Sequence, residues 1–190
     1  MKTALLASYE KDEALWQLGE FLRENDWQIL GSAGTAKFLH EHKIPCRDVA
    51  EIVGPPILGH RVVTLSRELH AGLLATDADA AELKKLGVPR IDLVYVTLYP
   101  LEKTIADPKS KPEDVIEKTD IGGPTLLRAA AKGQRIVISD PSQIPMVESF
   151  ITDGELPEER ERLVRHLVAE AERKVADYVG ASATYWEARK

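Results

Sequence analysis

Apolar residues along the chain follow two alternating rhythms, solid short runs and longer stretches with an apolar residue every three or four positions. The solid runs are 3–9 (TALLASY), 27–30 (WQIL), 91–98 (IDLVYVTL) and 135–139 (RIVIS). Runs apolar at nearly every position suit strands of a parallel sheet covered on both faces. Between the first two, Leu15, Leu18 and Leu22 recur at helical spacing within 11–23. The turn 31–35 (GSAGT) opens a further helix through Phe38 and Leu39. Segments 77–86, 112–117, 123–132 and 142–151 read as helices, the first stopped by Gly87. Leu163, Leu167, Ala171 and Val175 mark one stripe of a long amphipathic helix over 157–178. Residues 45–53 are expected to be extended, and 61–65 and 72–75 extended or mixed. Gly54-Pro55-Pro56 and Gly59 mark a loop between them.

Strands alternating with helices predict an α/β fold, a single three-layer domain over 1–190 with a mainly parallel central sheet. Ligands of such folds lie beyond the carboxyl ends of the strands. The helical tail from about 157 is expected to pack on the domain or to reach a partner subunit.

Composition narrows the classes. The 190 residues, 44% hydrophobic, suffice for one core. The net charge of −6, with both signs interspersed, provides no basic face for nucleic acid. Cys46 is the sole cysteine, so no disulfide forms within the chain and a reducing cytoplasm is the expected home. The first apolar run is too short and too soon charged for a signal peptide, and no run approaches membrane-spanning length. No cysteine–histidine spacing of a zinc site occurs. His40-Glu41-His42 reads as a solvated helix face, and His70 suits either a core or a site role. Trp16, Trp27 and Trp186 read as core or interface residues.

Two stretches carry candidate chemistry. In GSAGT, small residues between a strand and a helix let an anion approach free backbone N–H groups, and Ser32 and Thr35 add hydroxyls around Gly34. It has neither the lysine of a Walker loop nor the dinucleotide glycine pattern, and an ordinary capped turn is the plain alternative. Lys11, after the first strand, faces the same anion if strands one and two are neighbours; otherwise it is a solvated lysine. The second stretch is 118–133 (KTDIGGPTLLRAAAKG). Asp120 is placed either to cap the helix or to do chemistry, and Gly122-Gly123 allow close backbone approach or positive φ. Arg128 and Lys132 lie on one face at i,i+4 spacing, and Lys132 also reads as a plain cation at a helix end.

The whole motif 120–132 (DIGGPTLLRAAAK) resembles the signature of inosine monophosphate (IMP) cyclohydrolase, the N-terminal half of the bifunctional enzyme that also carries AICAR formyltransferase. Other stretches resemble the same family in order: 4–6 followed by Lys11, 31–36 (GSAGTA), 59–65 (GHRVVTL), 69–74 (LHAGLL), 91–94 (IDLV) and 98–100 (LYP). The resemblance covers nearly all of the chain and implies a methylglyoxal-synthase-like fold without the formyltransferase half. Departures cluster together. Val63 stands where the family has a lysine, Ser66-Arg67 where it has His-Pro, and Thr97 where it has asparagine. Ala7 and Tyr9 replace serines, and Arg67 is a candidate substitute cation.

The resemblance implies closure of the purine ring of formyl-AICAR to IMP with loss of water, without metal or organic cofactor. It assigns Lys132, Asp120 and Tyr99 to catalysis. Lys11, Ser32, Gly34, Thr35, Arg61 and Thr64 would hold the 5′-phosphate, with Gly122 and Gly123 at the reacting centre. It further implies a purine nucleotide substrate, a homodimer and a separate AICAR formyltransferase. Two other readings stay open: a nucleotide- or phosphosugar-binding paralogue impaired in catalysis, with a regulatory or scaffolding role, and a methylglyoxal synthase-like lyase.

Overall fold

A computed structural model of the chain describes residues 1–59 and 61–189; His60 of the GHRVVTL stretch lies outside them. Among the described residues, five strands form one parallel sheet in the order β3-β2-β1-β4-β5. They are β1 (Thr3–Ser8), β2 (Gln28–Gly31), β3 (Arg47–Asp48), β4 (Leu93–Thr97) and β5 (Ile136–Ile138). The solid apolar runs have the expected cause. Leu5, Leu6, Val94, Tyr95, Val137 and Ile138 are all buried, because helices cover both faces and leave no solvent side for alternation.

The helices are α1 (Glu13–Glu24), α2 (Ala33–Glu41), α3 (Ala50–Val53), α4 (Arg67–Leu74), α5 (Ala80–Leu86), α6 (Leu101–Ala106), α7 (Pro112–Glu117), α8 (Gly122–Lys132), α9 (Ile144–Thr152) and α10 (Pro157–Glu187). Helix α1 starts at Asp12, whose carboxylate accepts from the Leu15 N–H at 3.0 Å, and it buries Leu15, Leu18 and Leu22. Helix α5 stops at Gly87, left-handed at φ 69°, as its glycine predicts. Helix α8 packs against β4, β5 and α4, and α10 against β5, α6 and α8.

Three segments differ from expectation. Residues 45–53 hold only the two-residue β3 before turning into α3, since Val49 anchors in the core and the Asp48 carboxylate caps the turn through the Ala50 N–H at 2.8 Å. Residues 72–75 belong to the end of α4, started by Ser66, whose hydroxyl accepts from the Leu69 N–H at 3.1 Å. Residues 61–65 form no strand, and Val62 makes a lone bridge to Ile57. The tail helix runs to Glu187 rather than ending near Tyr178.

Topology places the site. After β1 the chain crosses to β2 and β3 on one side, then returns to β4 and β5 on the other. The carboxyl ends of β1 and β4 therefore flank the point where the order reverses, which is where open α/β sheets form a crevice.

Candidate active site

A cavity of about 620 Å³ opens at that crevice. Tyr9 and Lys11 reach it from the end of β1, Ser32 from β2, Thr97 and Tyr99 from β4, and Asp120 through Gly123 from the mouth of α8. Arg61, Val63 and Thr64 close one side, and Trp186 enters from the end of α10.

Lys11 retains an exposed surface, yet its ammonium donates to the Ser8 carbonyl and, at 3.2 Å, to the Tyr9 carbonyl. Partial burial holds its pKa below the ordinary lysine value, against the opposing pull of Asp12. Its stem lies across Gly34, where an added Cβ would meet the Lys11 Cε at 3.4 Å. Gly34 thus acts by leaving room for Lys11 and is not itself part of the cavity wall. Thr35 is also held back from it. At 0% exposure, its hydroxyl accepts from the Ser8 N–H at 3.1 Å and from the Ser32 hydroxyl at 3.1 Å. Thr35 therefore fastens α2 to the end of β1. Ser32 and the exposed Arg61 do line the cavity.

At the other side, the Asp120 carboxylate accepts from the Gly123 N–H at 2.9 Å. Burial raises its pKa above the ordinary carboxylate value, opposed by hydrogen bonds from the backbone of Gly123, Tyr99 and Gly122. The cap and the candidate chemistry thus fall on one group. The glycine pair serves close approach. A Cβ on Gly123 would lie 2.5 Å from the Asp120 Oδ2 and 2.6 Å from the Leu98 Cδ2, and one on Gly122 2.6 Å from the Thr64 Oγ1. Neither glycine has positive φ. Tyr99 tilts against Tyr9 with ring centroids 4.9 Å apart. Burial and then Asp120 raise its pKa, while Lys118 lowers it.

Lys132 is not brought to this cavity. It sits exposed in the last turn of α8, ten residues beyond Gly122, which is roughly 15 Å along a helix. That end of α8 packs instead on α4, with the Leu73 carbonyl pressed against Gly133. Arg67 is exposed beside Glu68 and does not line the cavity either, and the His70 Nδ1 lies 2.7 Å from the Ser66 carbonyl within its own helix. Among the described residues, no group of three or more His, Cys, Asp or Glu could hold a metal ion, and no helix is long and apolar enough to cross a membrane.

The model of the MGS-like domain family matches residues 14–125, more than half of the chain. The chain belongs to the MGS-like domain family. Two curated relatives bear the name "Bifunctional purine biosynthesis protein PurH". That of Bacillus cytotoxicus is 35% identical over 192 residues, covering 97% of this chain and 37% of that protein. That of Prochlorococcus marinus (strain MIT 9215) is 39% identical over 181 residues, covering 92% of this chain and 34% of that protein. This MGS-like domain thus spans little more than a third of the length of those relatives. Among solved structures, "Crystal structure of ForH" superposes with a TM-score of 0.80 at 32% identity, covering 97% of this chain and 98% of that one.

The cavity of this MGS-like domain also gathers Ser8, which motif reading passed over, beside Thr97, one of the departures from the resembled family. Ser8 and Thr97 are register partners whose hydroxyls meet at 2.7 Å, and the Thr97 hydroxyl accepts from the Tyr9 N–H at 2.8 Å. Lys118 holds its ammonium 5.3 Å from the centre of the Tyr9 ring and 5.7 Å from that of Tyr99. Lys118 sits inside the quoted KTDIGG stretch, so its placement beside the acid was the available signal. Trp186 carried none, because it is 66 residues from Asp120 in sequence.

Proposed function

We propose that this MGS-like domain is a purine-biosynthesis enzyme related to PurH, and that it closes the ring of formyl-AICAR to IMP. The observation that carries the reading is Asp120, a carboxylate raised by burial at a helix mouth, opening into a cavity with cationic and hydroxyl groups at its other end. Lys11, Ser32, Arg61 and the free N–H groups at the start of α2 suit a 5′-phosphate. Thr35 and Gly34 support that end from behind.

Holding the substrate in its reactive rotamer supplies much of the acceleration of an intramolecular closure. The carboxamide nitrogen attacks the formyl carbon, and Asp120 takes the proton released from that nitrogen and passes it to the formyl oxygen. That oxygen becomes a hydroxyl, and the carboxylate is ready for the next turnover. The C–O bond then breaks, and the hydroxyl leaves as water with the proton of the former formamide nitrogen. Tyr99, which lines the cavity with Asp120, donates a hydrogen bond to the formyl oxygen, and Lys118 supplies positive charge beside it. Lys132 takes no step within its own chain. Gly122 and Gly123 let the acid and the substrate approach the helix mouth. A homodimer and a separate AICAR formyltransferase complete the proposal.

The test is turnover of formyl-AICAR by the purified chain. A rate no faster than buffer overturns the cyclohydrolase reading. One observation favours the impaired-paralogue reading in that event: Val63 presents an apolar wall to the cavity where the resembled family has a lysine.

A further inference from the structure

Helix α10 has 31 residues, about 46 Å of rise. Arg160, near its start, donates to the Gln134 carbonyl just before β5 at 3.2 Å, and its last turn stands at the cavity beyond the carboxyl ends of the strands. Leu163, Val164, Leu167, Ala171, Val175 and Tyr178 fix it along the way. Past Tyr178, Tyr185 packs into a small cluster with Leu101 and Val115, and the Arg189 guanidinium lies 4.4 Å from the centre of its ring. Trp186 follows directly, edge-on to Tyr185 at 4.9 Å and 80°. Tyr185 thus holds Trp186 in place, while the indole itself remains 41% exposed and lines the cavity.

Two more large apolar side chains stand exposed on the same wall, Ile116 at 59% and Ile121 at 60%. The cavity is therefore polarised. Cation and hydroxyls come from the loops after β1 and β2 at one side; at the other, Ile116 of α7, Ile121 just before α8 and Trp186 of α10 form an apolar lip beside the Asp120 carboxylate, Glu117 and Thr119. A phosphorylated planar heteroaromatic matches both sides at once, since a rigid indole offers a flat apolar face at low entropic cost.

We propose that Trp186 is the aromatic wall of the base subsite, stacking on the imidazole or purine ring of the substrate, so that the end of α10 selects which rings the site accepts. The inference rests on the nucleotide reading of the cavity.

The experiment titrates IMP and ribose 5-phosphate into the wild-type chain and into Trp186→Ala, Trp186→Phe and Trp16→Phe, following tryptophan fluorescence and calorimetric affinity. IMP is expected to quench the wild type and Trp16→Phe but neither Trp186 variant. Trp186→Ala is expected to weaken IMP roughly tenfold or more, with Trp186→Phe intermediate. Ribose 5-phosphate affinity is expected to be the same in all four. Equal IMP affinity in Trp186→Ala and wild type, quenching that persists in Trp186→Phe, or parallel loss of ribose 5-phosphate binding overturns the proposal. If circular dichroism shows Trp186→Ala to be unfolded, the quenching and affinity of Trp186→Phe decide alone. Failure of the wild type to bind IMP overturns the nucleotide reading itself, and the inference with it.

Discussion

The Tyr178 hydroxyl accepts a hydrogen bond from the Asp120 backbone N–H at 2.8 Å and donates one to the Lys118 carbonyl at 2.9 Å. A single phenol on α10 thus fixes the segment that carries both the buried acid and its neighbouring cation. Burial in this position pushes the Tyr178 pKa up to about 12, so it stays a neutral donor at physiological pH.

Tyr178→Phe is expected to cost about 1–3 kcal/mol of stability, because the Asp120 N–H and the Lys118 carbonyl lose their partner in a half-buried place. Urea denaturation measures the loss. Turnover is expected to fall more than nucleotide affinity, since the Asp120 carboxylate loses its fixed position while the phosphate side is untouched. Unchanged stability and turnover would show that the segment is held by other contacts.

Asp120→Asn separates stability from chemistry. The native carboxyl has a pKa raised above its ordinary 3.8, so the folded chain binds that proton more tightly than the unfolded chain does. The stability this group contributes is therefore complete below pH 3.8 and is lost as pH rises through its folded value. Asparagine keeps an acceptor for the Gly123 N–H without the buried charge. The variant is expected to be at least as stable as wild type at neutral pH, with the advantage vanishing as pH falls toward 3.8. Its turnover is expected to drop by about 10²–10⁴, the usual contribution of a general base. In wild type, kcat/KM is expected to fall as pH drops through the raised value. Denaturation curves and a pH–rate profile check both halves.

Two glycine substitutions test whether close approach is what the helix mouth needs. Gly123→Ala forces a Cβ against the Asp120 carboxylate and Leu98, with an expected cost of about 1–3 kcal/mol and a large loss of turnover. Gly180→Ala lies on α10 with nothing within 4 Å of the new Cβ, and is expected to stabilise by about 0.5–1 kcal/mol. Opposite signs in thermal denaturation support the geometry.

The phosphate side is tested by comparing IMP with inosine. Lys11→Ala is expected to weaken IMP and to leave inosine unchanged, because the lost partner is the phosphate. Lys132→Ala, altered at the far end of α8, is expected to leave both affinities unchanged. Equal calorimetric affinity of the wild type for IMP and inosine would remove the phosphate from this side of the cavity.

What the sequence made legible follows from how local each signal is. The strands β1, β4 and β5 and the stops at Gly87 and Gly133 depend on short-range pattern, and they appear where the pattern places them. Residues 72–75 look extended because Leu73, Leu74 and Ala75 are consecutive apolar residues, yet the Ser66 cap sets a helix through them. The site residues divide the same way. Lys11, Ser32, Tyr99, Asp120, Gly122 and Gly123 share the cavity because each sits near a carboxyl strand end or the α8 mouth, and Arg61 and Thr64 join them from the loop between α3 and α4. Lys132 shares the motif of Asp120 but not its surroundings, since an α-helix carries the chain away at 1.5 Å per residue. Thr35 has the right chemistry, but its hydroxyl is spent within the fold. Trp186 and Tyr178 needed the course of a long helix, which periodicity alone does not aim.

Val63 lines the cavity and packs partly on the core, so positive charge there must come from elsewhere. Lys118 is placed to provide it, with its ammonium over the Tyr9 and Tyr99 rings and 3.4 Å from the Tyr9 hydroxyl. Lys118→Met keeps the length of the side chain and removes the charge. It is expected to lower turnover by about 10- to 100-fold while IMP affinity changes little, the pattern of a group that acts on the transition state. The double variant Val63→Lys/Lys118→Met is then expected to recover part of the rate, because a lysine at 63 can lay its stem on the apolar wall and extend its ammonium into the cavity. Turnover of formyl-AICAR under saturating conditions measures each variant. If Lys118→Met turns over like wild type, the charge beside Tyr99 has no part in the reaction. If it loses rate and the double variant gains none back, the position of that charge matters as well as its presence.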